Sequence, residues 1–281
     1  MSGPIYRRKK SLSYRLRKNK RLVKASSVLL PLLLGIVIFV LWQTQVLHAI
    51  LHTDTFTLPL PSRIAEIISD NMGKIMSNTG ATLIAAISGL VLGSFIGYGI
   101  AILAAVFPVW GSGGLSIVAA FNAIPIVALA PVMTNWTKDV SKNASVRSMV
   151  AKILVVMIVC IANMSINAYR GLTELPVYSE DLMSVMAAKR RTVFRKLRLP
   201  NSVPYIFTAL KVSVPSSVIT ALVSEYFAEY VIGVGRQIRE NIVLAQYSTA
   251  WAYITVACLI GIIMYMILMA IQGIFLKHRG L

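Results

Sequence analysis

Long apolar stretches separated by short polar segments dominate the chain. A helix that crosses a bilayer needs roughly 20 mostly apolar residues, and six runs approach or exceed that length. They cover residues 26–47, 81–106, 115–133, 150–168, 203–222 and 250–274. The pattern predicts an all-α fold, a polytopic membrane bundle of six transmembrane helices.

The first run follows a basic segment, residues 1–25, as the apolar core of a secretory signal would. It is about twice as long as such a core, and no A-x-A cleavage pattern follows it. We therefore interpret residues 26–47 as an uncleaved first span.

The distribution of lysine and arginine predicts the orientation, because these residues are retained in cytoplasmic loops. With residues 1–25 inside, the inner segments hold nineteen of them and the outer segments seven. Both termini, including the tail 276–281, are expected in the cytoplasm, together with the loop 171–202. Lys152 and Lys211 fall near span ends, where a long side chain can reach lipid headgroups.

The formal net charge of +18 raises the question of nucleic acid binding. Since the basic cluster directly precedes a span, an anchor on anionic lipid is the simpler interpretation, and we expect no nucleic acid partner. The chain lacks a G-x-x-x-x-G-K-[ST] phosphate loop and a metal-spaced cluster. We therefore expect no enzymatic activity, no metal site and no cofactor in this chain.

Two features concern the packing of the bundle. Residues 58–77 have the spacing of an amphipathic helix at the outer membrane face, which would pack on the bundle or receive a partner. The second span carries a small residue at every fourth position from Ala81 to Ala105, which lets helix backbones approach closely. Such a row drifts around a helix, so we expect this span to contact more than one neighbour.

Polar side chains and prolines at membrane depth are the candidates for a pathway. The set is Asn122, Pro125, Asn163, Asn167, Ser216, Ser217 and Glu225. Hydrogen bonding between helices is the alternative role for each amide or hydroxyl. Because a buried acid is costly and usually functional, Glu225 is expected either to act in a gate or pathway or to pair with Arg236 or Arg239.

A basic segment between the fourth and fifth runs, residues 181–204, reads DLMSVMAAKRRTVFRKLRLPNSVP. It resembles the EAA loop in the membrane subunits of ATP-binding-cassette (ABC) importers, where an acid and small residues open a helix and Ile/Leu-x-Leu-Pro closes it. This resemblance implies a cytoplasmic coupling helix, near residues 179–190, that docks on a separate ATPase. The residues assigned to this coupling are Asp181, Leu182, Met183, Met186, Ala187, Arg190, Arg191, Leu199 and Pro200.

Particular roles follow from the same resemblance. Asp181, Met183, Met186 and Ala187 would form the face of the helix that is buried against the ATPase. Arg190, Arg191 and Arg195 would reach acidic rims or lipid headgroups. Asp181 replaces the family's usual glutamate. Ala187 replaces its usual glycine, which is expected to stiffen the helix.

The likeness extends from about Leu58 to Phe275, through LPLPS, IPIVALAP, NAYRGL and SEYF in the same order. It is a likeness to permease subunits of importers for nitrate, sulfonates, taurine and related solutes, including pyrimidine and riboflavin-type carriers. It implies a five-helix core, residues 78–275, that pairs with a second permease copy in a bacterial plasma membrane. It also implies two copies of a cytoplasmic subunit that binds ATP, and an extracytoplasmic solute-binding protein.

Two outer segments, residues 134–148 and 228–248, depart from the common forms of that family. They would contact the binding protein, so the solute stays open. Two other functions stay open as well, a self-sufficient channel or ion-coupled carrier and a scaffold that does not transport. A carrier has no need of an exposed docking helix, and its transport would persist without nucleotide.

Overall fold

A computed structural model describes residues 20–228 and 231–277, and within them the regular structure is helical, with no strand. A 3₁₀ turn, Phe121–Ala123, precedes α6, and a π-helical turn, Phe194–Arg198, precedes α10. Most of the basic segment 1–25 and of the tail 276–281 lies outside the described residues. The helices are α1 (Lys20–Gln43), α2 (Val46–Leu51), α3 (Pro61–Asp70), α4 (Met72–Val106), α5 (Pro108–Ala120), α6 (Ile126–Trp136), α7 (Ala144–Thr173), α8 (Ser179–Val185), α9 (Arg190–Val193), α10 (Leu199–Phe227), α11 (Val234–Val243) and α12 (Tyr247–Lys277).

Four helices of the described chain are long and apolar enough to cross a membrane. They are Met72–Val106, Ala144–Thr173, Arg190–Phe227 and Tyr247–Phe275, and they correspond to the second, fourth, fifth and sixth predicted spans. The described apolar part of α1, Leu29–Gln43, is shorter. The bundle is therefore all-helical with four such spans, or five if a bent pair is counted, and the number six stays a prediction.

The bent pair replaces the third predicted span. Residues Gly113–Ala123 and Ile126–Trp136 meet at an angle of 98°. Ile124 and Pro125 between them are extended, with ψ values of 121° and 120°. A residue before proline disfavours the helical region, and proline itself has no amide for the helix. Pro125 in the IPIVALAP sequence thus explains why the helix breaks here.

The chain divides after Ala65 into two units. In the first, the His48 ring lies 2.6 Å, through Nε2, from the Leu58 carbonyl oxygen. Gln43 donates to the Ser62 hydroxyl at 3.2 Å. The apolar side chains of α1 from Leu29 to Val40 are exposed or nearly so, as expected for a helix that meets lipid.

The second unit is built around α7, which packs against α4, α6 and α10. Asn143 caps α7 by accepting a hydrogen bond from the Ser145 amide at 2.9 Å. The helix α4 begins at Met72, well before the predicted start of its span at Ala81. It also contacts α5, α10, α11 and α12, so the expectation of several neighbours is confirmed.

Glycines of α4 bring its backbone against α7. A Cβ atom at Gly89 would meet Val156, and one at Gly93 or Gly97 would meet the carbonyl oxygen of Met157 or Ile161. Lipid removes the hydrophobic drive between helices, so contact of this kind is the main source of their association. Three successive small residues of the predicted row therefore serve one interface.

Replacing Gly93 with alanine should lower the free energy of unfolding by about 1–3 kcal/mol, because overpacking a tight interface forces its neighbours apart. The added Cβ would lie 2.6 Å from the Met157 carbonyl oxygen and 2.7 Å from the Cys160 Cβ atom. Gly99→Ala in the same helix is the control, since its Cβ meets nothing within 4 Å. Thermal unfolding in detergent compares them, and equal melting temperatures would contradict the close α4–α7 packing.

Candidate functional site

The helix predicted to dock on an ATPase is shorter than the sequence suggested. It ends at Val185, and Ala187 in the following turn has a φ of 49°. The Ala188 amide donates to the Met183 carbonyl at 3.0 Å, and the Ala187 amide donates to the Ser184 carbonyl at 2.9 Å. This pair of bonds is a Schellman motif, whose left-handed residue is usually glycine. The expectation that Ala187 stiffens the helix is wrong, because the helix ends before it.

An exposed apolar cluster covers one side of α8 and its end. Leu182, Val185 and Met186 are exposed by 61%, 85% and 70%, and their i, i+3, i+4 spacing places them together. Asp181 is exposed, whereas Met183 is partly buried. The cluster thus includes Leu182 and Met186, which were predicted to contact the ATPase. Val185 was not predicted, although its spacing of three residues from Leu182 places it on the same side of the helix.

The start of α10 ties this segment to the bundle. Leu199 and Pro200 lie in its first turn. One residue later, Asn201 donates through Nδ2 to the Gly171 carbonyl at 2.8 Å and to the Glu174 carbonyl at 3.0 Å, at the end of α7. The amide satisfies carbonyl groups that a helix end leaves without partners. Asn201 therefore connects the segment that contains α8 and α9 to the ends of two long helices, α7 and α10.

Basic side chains line a cavity of about 850 Å³ beside α8. Arg190, Arg191 and Arg198 contribute to it, and Phe194 adds an apolar wall. One of the arginines, Arg198, pairs with Glu180, with 2.7 Å between Nη2 and Oε1. The remaining positive charge suits an acidic partner surface.

The predicted pathway residues are divided among the bend, α7 and α10. Asn122 and Pro125 are exposed at the bend. On α7, Asn163 and Asn167 are partly buried, and the Asn167 side-chain amide donates to the Asn163 carbonyl at 2.9 Å. On α10, Ser217 is buried and Ser216 is partly exposed.

The two serines bond within their own helix. Ser216 donates to the Val212 carbonyl and Ser217 donates to the Val214 carbonyl, each at 2.8 Å. Bonds between helices were the expected alternative to a pathway role, whereas in the described chain these hydroxyls donate within α10. A serine hydroxyl reaches the carbonyl three or four residues earlier without any contribution from another helix.

Glu225 is fully buried near the end of α10 and forms an ion pair with Lys152 of α7, with 3.1 Å between Oε1 and Nζ. Thr82 of α4 donates its hydroxyl to the same carboxylate at 2.9 Å. The Gly235 amide donates to Oε2, also at 2.9 Å. The acid therefore joins three long helices and the start of α11.

From the sequence, Arg236 or Arg239 was the expected partner of Glu225, and Lys152 was expected to reach a lipid headgroup. Both expectations are wrong. Lys152 is fully buried, and Arg236 lies 3.9 Å from the exposed Glu240. The reason is the close packing of α7 on α10, which removes Lys152 from water, and a buried charge needs an opposite charge and hydrogen bonds.

Comparison with known proteins identifies the family. Residues 97–279 match the family described as "Binding-protein-dependent transport system inner membrane component". The chain belongs to this family. It is a permease of an ABC importer, a membrane transport component, and the matched region contains α8, Lys152 and Glu225.

Relatives of the permease have related names. The formylaminopyrimidine transport permease protein ThiX of Halalkalibacterium halodurans is 25% identical over 254 residues, which are 89% of this chain and 95% of the relative. The nitrate import permease protein NrtB of Leptolyngbya laminosa is 29% identical over 143 residues, 51% of this chain and 46% of that protein. A probable ABC transporter permease protein of Haemophilus influenzae is 25% identical over 200 residues, 71% and 77% of the two chains.

Among solved structures, the permease is similar to a chain of the MetNI methionine ABC transporter in an inward-facing conformation. The TM-score is 0.49 and the identity 17%, over 71% of this chain and 94% of that chain.

Replacing Lys152 with methionine should lower the free energy of unfolding by about 3–5 kcal/mol, because it leaves the Glu225 carboxylate buried without a counter-charge. Glu240→Gln is the matched control, since its ion pair with Arg236 is long and exposed. Removal of such a surface pair changes stability by at most about 1 kcal/mol. Thermal unfolding of both variants in detergent is the measurement, and a Lys152 variant as stable as the control would contradict a dry ion pair.

Proposed function

We propose that this permease forms the translocation pathway of an ABC importer for a small organic or anionic solute. A binding protein outside the cell delivers the solute, and a separate ATPase inside the cell drives its transport. The observation that carries the proposal is the exposed apolar cluster Leu182, Val185 and Met186 beside the basic cavity. Exposed apolar side chains rimmed by charge are typical of protein interfaces.

The long helix α10 separates this surface from α11. Its 29 residues span about 43 Å at a rise of 1.5 Å per residue, enough to cross a bilayer. The docking segment, residues 179–190, precedes α10 in the chain and α11 follows it, so the two lie beyond opposite ends of this helix. The lysine and arginine distribution favours the cytoplasm for the docking segment and the outside for α11.

In this arrangement the chain has six spans with both termini inside. The first is α1, continued through residues before Leu29, and the third is the bent pair. The core from residue 78 to 275 pairs with a second copy, and Asn122, Pro125 and Ser216, which are exposed or partly exposed, become available to a pathway between the two copies. Two ATPase subunits bind the ATP, so the permease itself needs no cofactor.

Transport then proceeds by alternating access in a bacterial plasma membrane. Closure of the two ATPases pulls the two copies of α8 together. The pull passes through Asn201 to the ends of α7 and α10, and the bundle opens outward to the docked binding protein.

For the solute, the named relatives suggest where to begin. The relative that aligns along almost its whole length carries the name of a formylaminopyrimidine transporter, and a nitrate transporter matches over less than half of its own length. A neutral or weakly polar pyrimidine is therefore the first solute class to screen, and nitrate is the second.

The decisive experiment is to tag the permease, extract it from its own host in mild detergent and identify the proteins that co-purify. We expect an ATP-binding subunit in stoichiometric amount and ATP hydrolysis by the complex, stimulated by a binding protein with its solute. Recovery of this chain alone, under conditions that preserve a known importer complex, would instead support a free-standing carrier or a scaffold.

Met186→Glu should reduce the amount of ATPase subunit that co-purifies at least tenfold, because it places a charge in the apolar cluster that would be buried at the interface. Met186→Leu is the matched control and should retain the subunit, since volume and polarity change little. Quantitative mass spectrometry of the tagged complexes measures the ratio. Equal recovery of the subunit with both variants would place the docking surface elsewhere.

A further inference from the structure

Residues 232–235, which enter and begin α11, are bound by side chains of three different helices. Lys152 of α7 donates to the Ile232 carbonyl at 2.8 Å. The Gly233 amide donates to the Asn78 side-chain oxygen of α4 at 3.0 Å. These side chains fix Ile232 and Gly233, which lie before the helix and have no regular structure of their own.

The next two amides complete the arrangement. The Val234 amide donates to the Thr82 hydroxyl oxygen at 3.0 Å, and that hydroxyl donates in turn to the Glu225 carboxylate. The Gly235 amide donates to Glu225 itself. A single carboxylate therefore accepts hydrogen bonds from Thr82, Lys152 and the first turn of α11, where a negative charge is favoured by the exposed amides.

Glycine is needed at two of these positions because the backbone touches Glu225. Gly233 has a φ of 151°, and a Cβ atom there would collide with the Glu225 carboxyl group. A Cβ atom at Gly235 would collide with the Leu222 carbonyl oxygen. The segment is thus shaped to fit around the ion pair.

Stability alone does not explain this arrangement, since replacing a buried ion pair with apolar residues of similar volume is often neutral or stabilising. Apolar side chains cannot form hydrogen bonds with the backbone groups of residues 232–235, as Lys152 and Glu225 do. We propose that Lys152 and Glu225 are positioning residues that hold α11 in the orientation needed to receive the binding protein.

The exposed end of α11 is the surface that this pair would hold in place. Val234, Gln237 and Asn241 face the interior, whereas Val243 and Leu244 are exposed by 76% and 60%. The inference rests on the proposed function, which places this surface outside the cell. It adds a residue pair, far from the docking cluster in the sequence, on which the response to the binding protein depends.

The test uses the complete importer, with permease, ATPase and binding protein, in lipid nanodiscs. The double variant K152M/E225M removes both charges together and leaves no single charge buried. ATP hydrolysis is measured against the concentration of solute-loaded binding protein. We expect the concentration for half-maximal stimulation to rise at least tenfold, and amide hydrogen exchange across residues 231–240 to become at least tenfold faster.

Val156→Ala is the matched control, because Val156 is also fully buried on α7, one turn from Lys152. It should lower the melting temperature and leave both the half-maximal concentration and the exchange of residues 231–240 unchanged. A destabilised bundle is thereby distinguished from a displaced α11. The reversed pair K152E/E225K should not rescue stimulation, because Thr82 and the Gly235 amide need an acceptor at position 225.

A double variant with wild-type half-maximal concentration would overturn the inference while leaving the proposed function intact. If the double variant fails to assemble, Thr82→Val decides, because it removes the acceptor of the Val234 amide and keeps both charges. The same rightward shift is expected, and no shift would overturn the inference. If the wild-type complex itself shows no response to any binding protein, the proposed function fails, and the inference fails with it.

Discussion

The backbone contact between α4 and α7 is the constraint on which the second unit depends. In a bilayer, helices associate through close packing and hydrogen bonds, because lipid is as apolar as their side chains. Gly89, Gly93 and Gly97 let α4 lie directly on α7. At one end of that interface, Thr82 of α4 and Lys152 of α7 come within reach of Glu225. The ion pair is dry because the helices around it leave no room for water.

The two ends of α10 are held by different contacts. At its start, the Asn201 side chain bonds the carbonyl groups that end α7, and the residues before it are exposed apolar and basic side chains. At its far end, Glu225 binds the segment that leads into α11. In the proposed importer, a displacement of the docking segment would move a helix whose other end is bound to the outer surface. In that importer, α10 would be the packed element through which the ATPase and the binding protein influence each other.

The sequence predicts those features of the fold that depend on local pattern. Apolar runs locate the long helices, and Ile124 before Pro125 marks the bend, because a proline restricts the residue before it. The sequence does not reveal the partner of Glu225, because Lys152 lies 73 residues earlier in the chain and only the packing of α7 on α10 brings them together. Proximity along the chain favoured Arg236 and Arg239 instead. The end of α8 at Val185 was not predicted either, because it depends on the backbone hydrogen bonds of the turn around Ala187, which the residue type alone does not indicate.

A signal for the ion pair was nevertheless present. A lysine and a glutamate, each inside or beside an apolar run, are both costly to bury alone, and together they neutralise each other. Gly233 and Gly235 follow Glu225 closely in the chain, and their lack of a side chain lets the backbone turn back onto this acid. Neutralisation of charge between spans would have made Lys152 and Lys211 candidate partners of Glu225, although the sequence does not choose between them. The Glu225 carboxylate is buried and accepts hydrogen bonds from Lys152, Thr82 and the Gly235 amide, and we therefore expect its effect on transport to come through the position of α11.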